Sequence, residues 1–292
     1  MTPLVERPDK IFLKCEFLHP GRSHKARVAA HLIDDAEQRG LVHPSGNLSL
    51  LERTGGNLGI GLAIEARARG YRLTLVVDRT YSAAKRDLAR RLGAVVLERE
   101  EYFPHCADNG AAIAVLLSRE GDRYHYLNQF ANPANPRAHE HDTGPEIAEQ
   151  LASAGVDTVG SVALVCGTGT GATMRGVSTV LRARFAEVTT IGVQPPECDL
   201  SAGAFGPHPM QGIAVGEPAP FFPAAELDDI VPVTEADLES ARAELLAQLR
   251  FDVGPSSLAN YAAACRYRTA RISADPNQVV VTVLFDRGED YV

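Results

Sequence analysis

A lysine and two glycine-rich turns are the residues of this chain with the clearest chemical use. Lys25 follows a proline–glycine break after the apolar run of residues 11–17, which places its amine at a strand-to-helix boundary, where functional groups are often found. The glycine-rich turns cover residues 54–59 and 167–176. Backbone amides in such turns bind anions, and an amine reacts with carbonyl groups. Together these features would suit a phosphorylated carbonyl cofactor and the carboxylate of an amino acid.

The second turn, residues 167–176, has the sequence Gly-Thr-Gly-Thr-Gly-Ala-Thr-Met-Arg-Gly and follows an apolar strand candidate. Small residues allow the backbone to approach an anion closely, and threonine hydroxyls add donors. The pattern is neither a P-loop nor a dinucleotide fingerprint, because no Gly-Lys-Ser/Thr and no clear acidic ribose partner follow it. We interpret it as a monophosphate site, with a tight turn that binds no ligand as the alternative.

The first turn, residues 54–59, has the sequence Thr-Gly-Gly-Asn-Leu-Gly between a strand candidate and a helix candidate. Its amides, with Thr54 and Asn57, could bind a carboxylate. A plain glycine-rich turn is the alternative.

Composition excludes several classes of protein. The 292 residues carry 29 basic and 37 acidic side chains, a net charge of −8, and no basic run, so we expect no nucleic-acid partner. No apolar stretch approaches the roughly 20 residues needed to span a bilayer, so we expect no membrane span. Five scattered cysteines without a C-x-x-C pair indicate neither a metal site nor a disulfide framework. With no secretory signal visible in the first ten residues, a cytoplasmic location is predicted.

Apolar strand candidates alternate with segments of helical period along the whole chain, which predicts an α/β fold with mostly parallel sheets. A connection rich in proline and asparagine, residues 128–136, is a candidate domain crossing. The loop of residues 197–223 is too long for a plain connector and is typical of a lid or a binding loop. The predicted strands are residues 11–17, 48–52, 73–77, 94–97, 159–166, 189–194, 230–233 and 279–285.

Ordered sequence blocks over nearly the whole chain resemble one enzyme family. The chain is similar to the pyridoxal-phosphate-dependent cysteine synthase and cystathionine β-synthase group, which has the tryptophan-synthase β fold (fold type II). The blocks are Thr-Pro-Leu-Val at 2–5, Pro-Gly-x-Ser-x-Lys-x-Arg at 20–27, Thr-Gly-Gly-Asn-Leu-Gly at 54–59, Gln-Phe-x-Asn-Pro-x-Asn-Pro at 129–136, Thr-Gly-Pro-Glu-Ile at 143–147, Gly-Thr-Gly-Ala-Thr at 169–173, Gly-Pro-His-Pro-Met-Gln-Gly-Ile at 206–213, Gly-Pro-Ser-Ser at 254–257 and Asp-Arg-Gly-Glu-Asp-Tyr at 286–291.

The resemblance implies two domains, each a mostly parallel sheet flanked by helices, and a homodimer. Residues 15–130 would form a smaller mobile domain with the reactive lysine and the carboxylate loop. Residues 1–14 and 131–292 would form a larger domain that binds the cofactor phosphate.

The resemblance also assigns roles to residues. Lys25 would form the Schiff base with pyridoxal 5'-phosphate and then act as base and acid. Asn57 would contact the ring hydroxyl of the cofactor. The phosphate would be bound by Gly169, Thr170, Gly171, Ala172 and Thr173. The substrate carboxylate would be bound by Thr54, Gly55, Gly56, Asn57 and Gln129.

Departures from the family pattern make the substrate harder to name. Gly55 replaces a serine, which removes one hydroxyl donor. Leu58 replaces a threonine, a change that also occurs in relatives that join an activated serine to an amine. Asp286 and Arg287 stand where the family places a serine or threonine against the pyridine nitrogen. The register favours Arg287, which would keep that nitrogen unprotonated. As the alternative, Arg287 points away or bridges to Asp286.

Other polar residues have ordinary expected roles. We expect Arg22, beside the active lysine, at the surface, with a cationic site for an anionic leaving group as the alternative. Histidines 139, 141 and 208 are expected to be solvated or to cap helices. Cys166 is expected to be a buried structural thiol.

The resemblance implies β-replacement on an O-activated L-serine, O-acetylserine or O-phosphoserine, by a sulfur or nitrogen nucleophile. Leu58 and the Asp-Arg-Gly ending favour a specialised biosynthetic relative over the general cysteine-forming enzyme. Two alternatives stay open: a β-eliminating dehydratase of the same fold, and a catalytically degraded binding homologue.

Overall fold

The structure is a computed structural model that describes residues 1–156 and 160–291. Strands and helices alternate along it, which confirms the predicted α/β class. The strands are β1 (Leu4–Glu6), β2 (Ile11–Cys15), β3 (Ser49–Arg53), β4 (Arg72–Val77), β5 (Val95–Glu98), β6 (Tyr124–Tyr126), β7 (Ser161–Val165), β8 (Glu187–Gln194), β9 (Asp229–Pro232) and β10 (Val279–Leu284).

The helices carry the connections between these strands. They are α1 (Lys25–Gln38), α2 (Asn57–Arg69), α3 (Ala83–Arg91), α4 (Arg99–Tyr102), α5 (Asn109–Glu120), α6 (Ala134–Ala138), α7 (Gly144–Ser153), α8 (Ala172–Arg184), α9 (Glu235–Leu249) and α10 (Pro255–Arg271). Within residues 1–156 and 160–291, none of them has the length and apolar character needed to cross a membrane.

The strands form two sheets. The larger has the order β1-β2-β10-β7-β8-β9, and the smaller has the order β5-β4-β3-β6. Every neighbouring pair is parallel except β1 and β2, which run antiparallel. Because parallel strands end at the same edge of a sheet, the loops that follow them collect there, and such edges are where α/β proteins bind ligands.

The chain divides into two compact units, each built on one sheet. The larger unit contains residues 1–19 and 136–289, and the smaller contains residues 20–135 together with 290 and 291. The sequence placed the division slightly differently, at residues 15–130 against 1–14 and 131–292. That the smaller unit moves as a domain stays a prediction.

Apolar side chains cover both faces of the larger sheet. Leu13 of β2 belongs to one core cluster and the adjacent Phe12 to another; Val165 and Leu164 of β7 are divided in the same way. Side chains alternate between the two faces of a strand, so a strand that is buried on both faces must be continuously apolar. These two cores fix the strand ends from which the loops of the larger unit begin.

In the smaller unit, helices α1 and α2 approach closely at Gly61. A Cβ atom at Gly61 would lie 3.1 Å from the Cα of Ala26 and 3.1 Å from the backbone oxygen of Lys25. The missing side chain therefore allows α2 to pack on the first turn of α1. Each helix begins with a predicted site residue, Lys25 in α1 and Asn57 in α2.

The sequence prediction was wrong in some details. The apolar run of residues 11–17 is a strand only to Cys15, and Glu16–Leu18 forms a 3₁₀ turn. Strands β1 and β6 were not predicted, because each has three residues and is too short to show an alternating pattern. The strand predicted at residues 159–166 is Ser161–Val165, and residue 159 lies outside the described residues.

Candidate active site

The chain contains four lysines, so four side-chain amines are candidates for the reactive group. Lys14 is fully buried, and its Nζ lies 2.7 Å from Oε2 of Glu146. Lys10 lies in the turn before β2, and Lys85 is buried on α3. Lys25 is half-buried at the start of α1. Its position at a helix start, on the helix pair that also carries Asn57, is the one that the sequence predicted for the reactive lysine.

The predicted carboxylate loop, residues 54–57, connects β3 to α2. Thr54 Oγ1 accepts the N–H of Gly56 at 3.4 Å, and Gly56 is the N-cap of α2. The N–H groups in the first turn of a helix have no partner within the helix, and the positive end of the helix dipole lies there. A substrate carboxylate could therefore bind at Thr54, Gly55, Gly56 and Asn57.

Gln129 is brought to this loop by a buried carboxyl group. The N–H of Gln129 donates to Oε2 of Glu52 at 3.0 Å, and the N–H of Arg53 donates to Oε1 of Glu52 at 2.9 Å. The Nε2 of Gln129 also donates to the backbone oxygen of Arg53 at 3.2 Å. Glu52 is fully buried, and burial raises its pKa to about 8 although these two N–H donors oppose the shift. Glu52 thus joins the two segments predicted to bind the substrate carboxylate.

The side chain of Asn57 is held from the neighbouring helix α3. Nζ of Lys85 donates to Oδ1 of Asn57 at 2.8 Å and lies 3.7 Å from the ring centroid of Tyr291. Lys85 is 3 % exposed, so both its aliphatic stem and its ammonium group are buried. An ammonium group over an aromatic face is attracted by the ring. Asn57, Lys85 and Tyr291 belong to the same unit.

Close packing of Tyr81 explains why residue 55 is a glycine. A Cβ atom there would lie 2.8 Å from both Cβ and Cγ of Tyr81, closer than real Cβ atoms approach their neighbours. The side chain of Tyr81 therefore occupies the space in which the family's serine would begin.

In the larger unit, the predicted phosphate loop, residues 167–173, leads from the end of β7 into α8. Gly171, the N-cap of α8, has a φ of +80°, and a Cβ atom there would lie 2.6 Å from the backbone nitrogen of Phe222. A Cβ atom at Gly169 would lie 2.6 Å from the backbone oxygen of Gly212. The close-packed backbone at the N-terminus of a 13-residue helix is suited to a phosphate group.

The long loop of residues 197–223 supports the phosphate loop. The backbone oxygen of Thr168 accepts the N–H of Ala214 at 2.9 Å, and that of Thr170 accepts the N–H of Phe221 at 3.0 Å. Phe222 is buried beside Gly171. These bonds fix the loop backbone from outside its own strand and helix.

Asn260 links the phosphate loop to the neighbouring strand. Its Oδ1 accepts the N–H of Gly167 at 2.8 Å, and its Nδ2 donates to the backbone oxygen of Val283 in β10 at 2.8 Å. Asn260 is fully buried. Both polar groups of this amide are thus used to hold the ends of β7 and β10 in place.

Asp286 lies just after β10, at the sheet edge from which the phosphate loop begins. Thr282 of β10 pairs with Val165, the last residue of β7, so the two parallel strands end at the same edge of the sheet, β10 two residues later. Asp286 is fully buried, and its N–H donates to Oγ of Ser257 at 3.3 Å. Ser257 belongs to the first turn of α10, where the helix dipole favours a negative charge.

The side chain of Arg287 contacts Phe17 and Glu289. Its Nε donates to the backbone oxygen of Phe17 at 3.0 Å, and its Nη1 lies 3.3 Å from Oε1 of Glu289. The side chain is 34 % exposed. The sequence favoured Arg287 over Asp286 as the partner of a pyridine nitrogen, but the buried position belongs to Asp286.

Known proteins resemble this chain over nearly its whole length. Residues 1–286 match the family described as pyridoxal-phosphate dependent enzyme. The chain belongs to this family. Cysteine synthase A of Escherichia coli is 34 % identical over 311 residues, which cover 100 % of this chain and 91 % of that protein.

Solved structures resemble the enzyme over its full length. One is the O-acetylserine dependent cystathionine β-synthase from Helicobacter pylori, with a TM-score of 0.85 and 28 % identity, covering 100 % of this chain and 94 % of that one. Another is O-ureido-L-serine synthase, with a TM-score of 0.84 and 31 % identity, covering 99 % of this chain and 90 % of that one. These likenesses confirm the predicted fold type.

The residues of the enzyme fit its cofactor, pyridoxal phosphate. A phosphate group requires N–H donors, which the first turn of α8 after Gly171 supplies. Glycines at 169 and 171 allow this backbone to pack against Gly212 and Phe222. An amine is present in Lys25, and a buried carboxyl group in Asp286. Each residue role stays a prediction, and the geometry within each unit is compatible with it.

Two residues, His139 and Arg22, are more buried than the sequence predicted. His139 is fully buried, with Nδ1 3.0 Å from Oγ1 of Thr143 and Nε2 3.2 Å from Oγ1 of Thr173. Arg22 is half-buried rather than exposed, and it is ion-paired with Asp290. Cys166 is fully buried, as expected.

Sequence reasoning missed four polar residues that contact predicted site segments within their own unit: Glu52 and Lys85 in the smaller unit, and His139 and Asn260 in the larger one. Their partners are distant in sequence, as in the bonds of Glu52 to Gln129 and of Asn260 to Gly167. The only signal in the sequence was a charged residue, Glu52, at the end of an otherwise apolar strand, next to a glycine-rich turn.

Proposed function

We propose that the enzyme catalyses β-replacement on an O-activated L-serine. The bond between Cβ and oxygen breaks, acetate or phosphate leaves, and a sulfur or nitrogen nucleophile forms the new bond to Cβ. Supporting this, the proteins similar to the chain include a cysteine synthase, an O-acetylserine dependent cystathionine β-synthase and an O-ureido-L-serine synthase. Their names give different amino-acid products, but all three are synthases.

The observation that carries the proposal is the packing of α1 on α2 at Gly61. It places Lys25 and Asn57 at the starts of two contacting helices, and the carboxylate loop enters the second of them. The amine and the loop predicted to bind the amino acid thereby lie on one pair of packed helices. Proton transfer at the carbon next to a bound carboxylate requires this kind of fixed geometry.

Bound pyridoxal phosphate supplies a carbonyl group that condenses with amines and a ring that withdraws electrons from the substrate Cα. In the proposed mechanism, Lys25 would hold the cofactor through its Nζ. The same atom would later take the proton from the substrate Cα and return it after the nucleophile has added to Cβ. The loop of residues 54–57 binds and orients the carboxylate, with the Gln129 side chain beside it. Asn57 orients the ring through its side-chain amide.

In the larger unit, we assign the phosphate to the backbone and hydroxyl groups of residues 169–173. For the ring nitrogen we favour Asp286 over Arg287, because Asp286 is fully buried at the sheet edge while Arg287 contacts Phe17 and Glu289. A carboxylate in this position would favour a protonated ring nitrogen, which strengthens electron withdrawal from Cα. The residue pattern alone had favoured Arg287 for this role.

Two substitutions at the carboxylate loop support a specialised relative. The side chain of Leu58 is buried, so it presents no hydroxyl group where the family has threonine. Gly55 leaves out the family's serine, and Tyr81 occupies that space. The loop therefore lacks two side-chain hydroxyl groups of the family pattern.

Product analysis tests the proposal. The purified enzyme is incubated with O-acetylserine or O-phosphoserine, each with sulfide, with an amino-acid amine, or with no nucleophile. We expect a β-substituted alanine that contains the added nucleophile, and no product from a Lys25→Ala variant. Ammonia and a 2-oxo acid as the main products in every mixture would instead identify a dehydratase-type enzyme. A homodimer and a cytoplasmic location stay predictions.

A further inference from the structure

A buried histidine connects two threonine hydroxyls next to the phosphate loop. His139 is the first residue of a π-helical turn, His139–Thr143, between α6 and α7. Its Nδ1 lies 3.0 Å from Oγ1 of Thr143, and its Nε2 lies 3.2 Å from Oγ1 of Thr173. His139 and Thr143 are fully buried, and Thr173 is 6 % exposed. Short π-helical turns often mark functional positions in helical segments.

Two glycines allow the histidine to reach the phosphate loop. A Cβ atom at Gly176 in α8 would lie 2.6 Å from Cβ of His139 and 2.5 Å from the backbone oxygen of Pro136. A Cβ atom at Gly144 in α7 would lie 2.8 Å from Cγ2 of Val180 in α8. Helix α8 therefore packs against the π-helical turn at a distance that a larger residue at either position would prevent. The bond between His139 and Thr173 is built into the packing of these helices.

The direction of the two hydrogen bonds decides what Thr173 can do. A neutral imidazole has one N–H donor and one acceptor nitrogen. If Nε2 carries the proton, it donates to Oγ1 of Thr173, and Nδ1 accepts from the hydroxyl of Thr143. The hydroxyl proton of Thr173 is then left to donate to another group. With the proton on Nδ1, the hydroxyl of Thr173 must donate to Nε2, and only its lone pairs would face an anion.

We propose that His139 is a positioning residue, held as the Nε2–H tautomer, which orients the Thr173 hydroxyl as a hydrogen-bond donor to the phosphate group of the cofactor. This rests on the proposed role of residues 169–173. Hydrogen bonds to charged groups are stronger than neutral ones, so a preset donor direction improves phosphate affinity. In this role, His139 acts through Thr173.

The tautomer can be measured without cofactor. Two-bond proton–nitrogen correlation spectra of the nitrogen-labelled protein, stripped of cofactor, distinguish a protonated ring nitrogen from an acceptor nitrogen, and a His139→Gln variant assigns the signal. We expect a protonated Nε2 and an acceptor Nδ1. A proton on Nδ1 or on both nitrogens would overturn the inference, whatever reaction the enzyme catalyses.

The contribution to binding is measured by titrating the stripped protein with pyridoxal phosphate and with pyridoxal, which has no phosphate group. We expect Thr173→Val and His139→Gln each to weaken pyridoxal phosphate binding about tenfold and to leave pyridoxal binding unchanged. The double variant should lose no more than Thr173→Val alone, because both act on one hydroxyl. The matched control is His141→Gln, at an exposed position of the same turn, which should bind as the wild type does.

Equal losses for pyridoxal phosphate and pyridoxal would indicate general damage to the fold and would overturn the role of His139. Additive losses in the double variant would overturn it too, because His139 would then act on something other than Thr173. Failure of the proposed function looks different: the wild type would bind the cofactor with the expected phosphate contribution and form no β-substituted product.

Discussion

Lys85 holds Asn57 through a hydrogen bond of 2.8 Å between Nζ and Oδ1. The same ammonium group lies 3.7 Å from the ring centroid of Tyr291, and the neighbouring Asp290 is ion-paired with Arg22, three residues before Lys25. The last described residues of the chain are therefore attached to the segments that carry both predicted cofactor-binding residues of the smaller unit. Residues far apart in sequence here converge on Asn57 and on the helix that begins with Lys25.

We expect Lys85→Met to loosen Asn57, because methionine keeps the apolar stem and removes the donor. Loss of a hydrogen bond from a charged donor costs about 1.5–3 kcal/mol, so kcat/KM should fall at least about tenfold. The visible absorption band of the bound cofactor should change as well, since Asn57 would orient the ring. Arg90→Met on the exposed side of the same helix is the control, and an equal effect there would contradict the role of Lys85.

Replacing Gly55 by serine should destabilise the enzyme, although it restores the family's hydroxyl group. The new Cβ would lie 2.8 Å from two side-chain atoms of Tyr81, and overpacking of this kind costs about 1–3 kcal/mol. Urea denaturation should therefore show a lower midpoint for Gly55→Ser. In a Tyr81→Gly background, which removes both contacting atoms, Gly55→Ser should cost less unfolding free energy than it does in the wild type. An equal cost in the two backgrounds would refute the steric explanation.

The stability of the enzyme should fall with rising pH because of Glu52. Its pKa is raised by burial to about 8 from an ordinary value of 4.5, so the folded state retains a proton that the unfolded state releases. Between about pH 4.5 and 8 this group makes unfolding easier by up to about 1.4 kcal/mol per pH unit. A Glu52→Gln variant cannot titrate, and the difference in unfolding free energy between the variant and the wild type should change across this window. A constant difference would contradict the raised pKa.

Asp286 and Arg287 should respond differently to substitution. Asp286→Asn removes the buried negative charge, so we expect a lower kcat and a shifted absorption band of the bound cofactor. Arg287→Met removes contacts to Phe17 and Glu289, so we expect kcat to stay within about twofold and the absorption band to stay in place. The reverse pattern would support the arginine that the sequence favoured.

The fold was largely predictable because its strands are buried on both faces. Continuous apolar runs such as β7 and β10 are visible in the sequence, and their burial leaves few alternatives. The strand predicted at residues 73–77 is observed as Arg72–Val77, one residue longer. The three-residue strands β1 and β6 could not be predicted, because their pairing depends on partners that the local sequence does not reveal.

The site was predictable only where residues are close in sequence. The loop of residues 54–57 and the loop of residues 167–173 are continuous segments with recognisable glycine patterns. By contrast, the burial of His139 depends on Gly176 and Thr173 in another helix, so its sequence neighbours gave no sign of it. The choice between Asp286 and Arg287 likewise depends on contacts with Phe17 and Ser257, which are remote in the chain.

The measurement that tests the central claim most directly is the identification of the lysine that binds the cofactor. The cofactor-loaded enzyme is reduced with borohydride, digested with a protease that does not cleave at lysine, and analysed by mass spectrometry. Because the chain has four lysines, each peptide can be examined separately. We predict a single phosphopyridoxyl group, on Lys25. The group on Lys10, Lys14 or Lys85 instead would contradict the account of the active site.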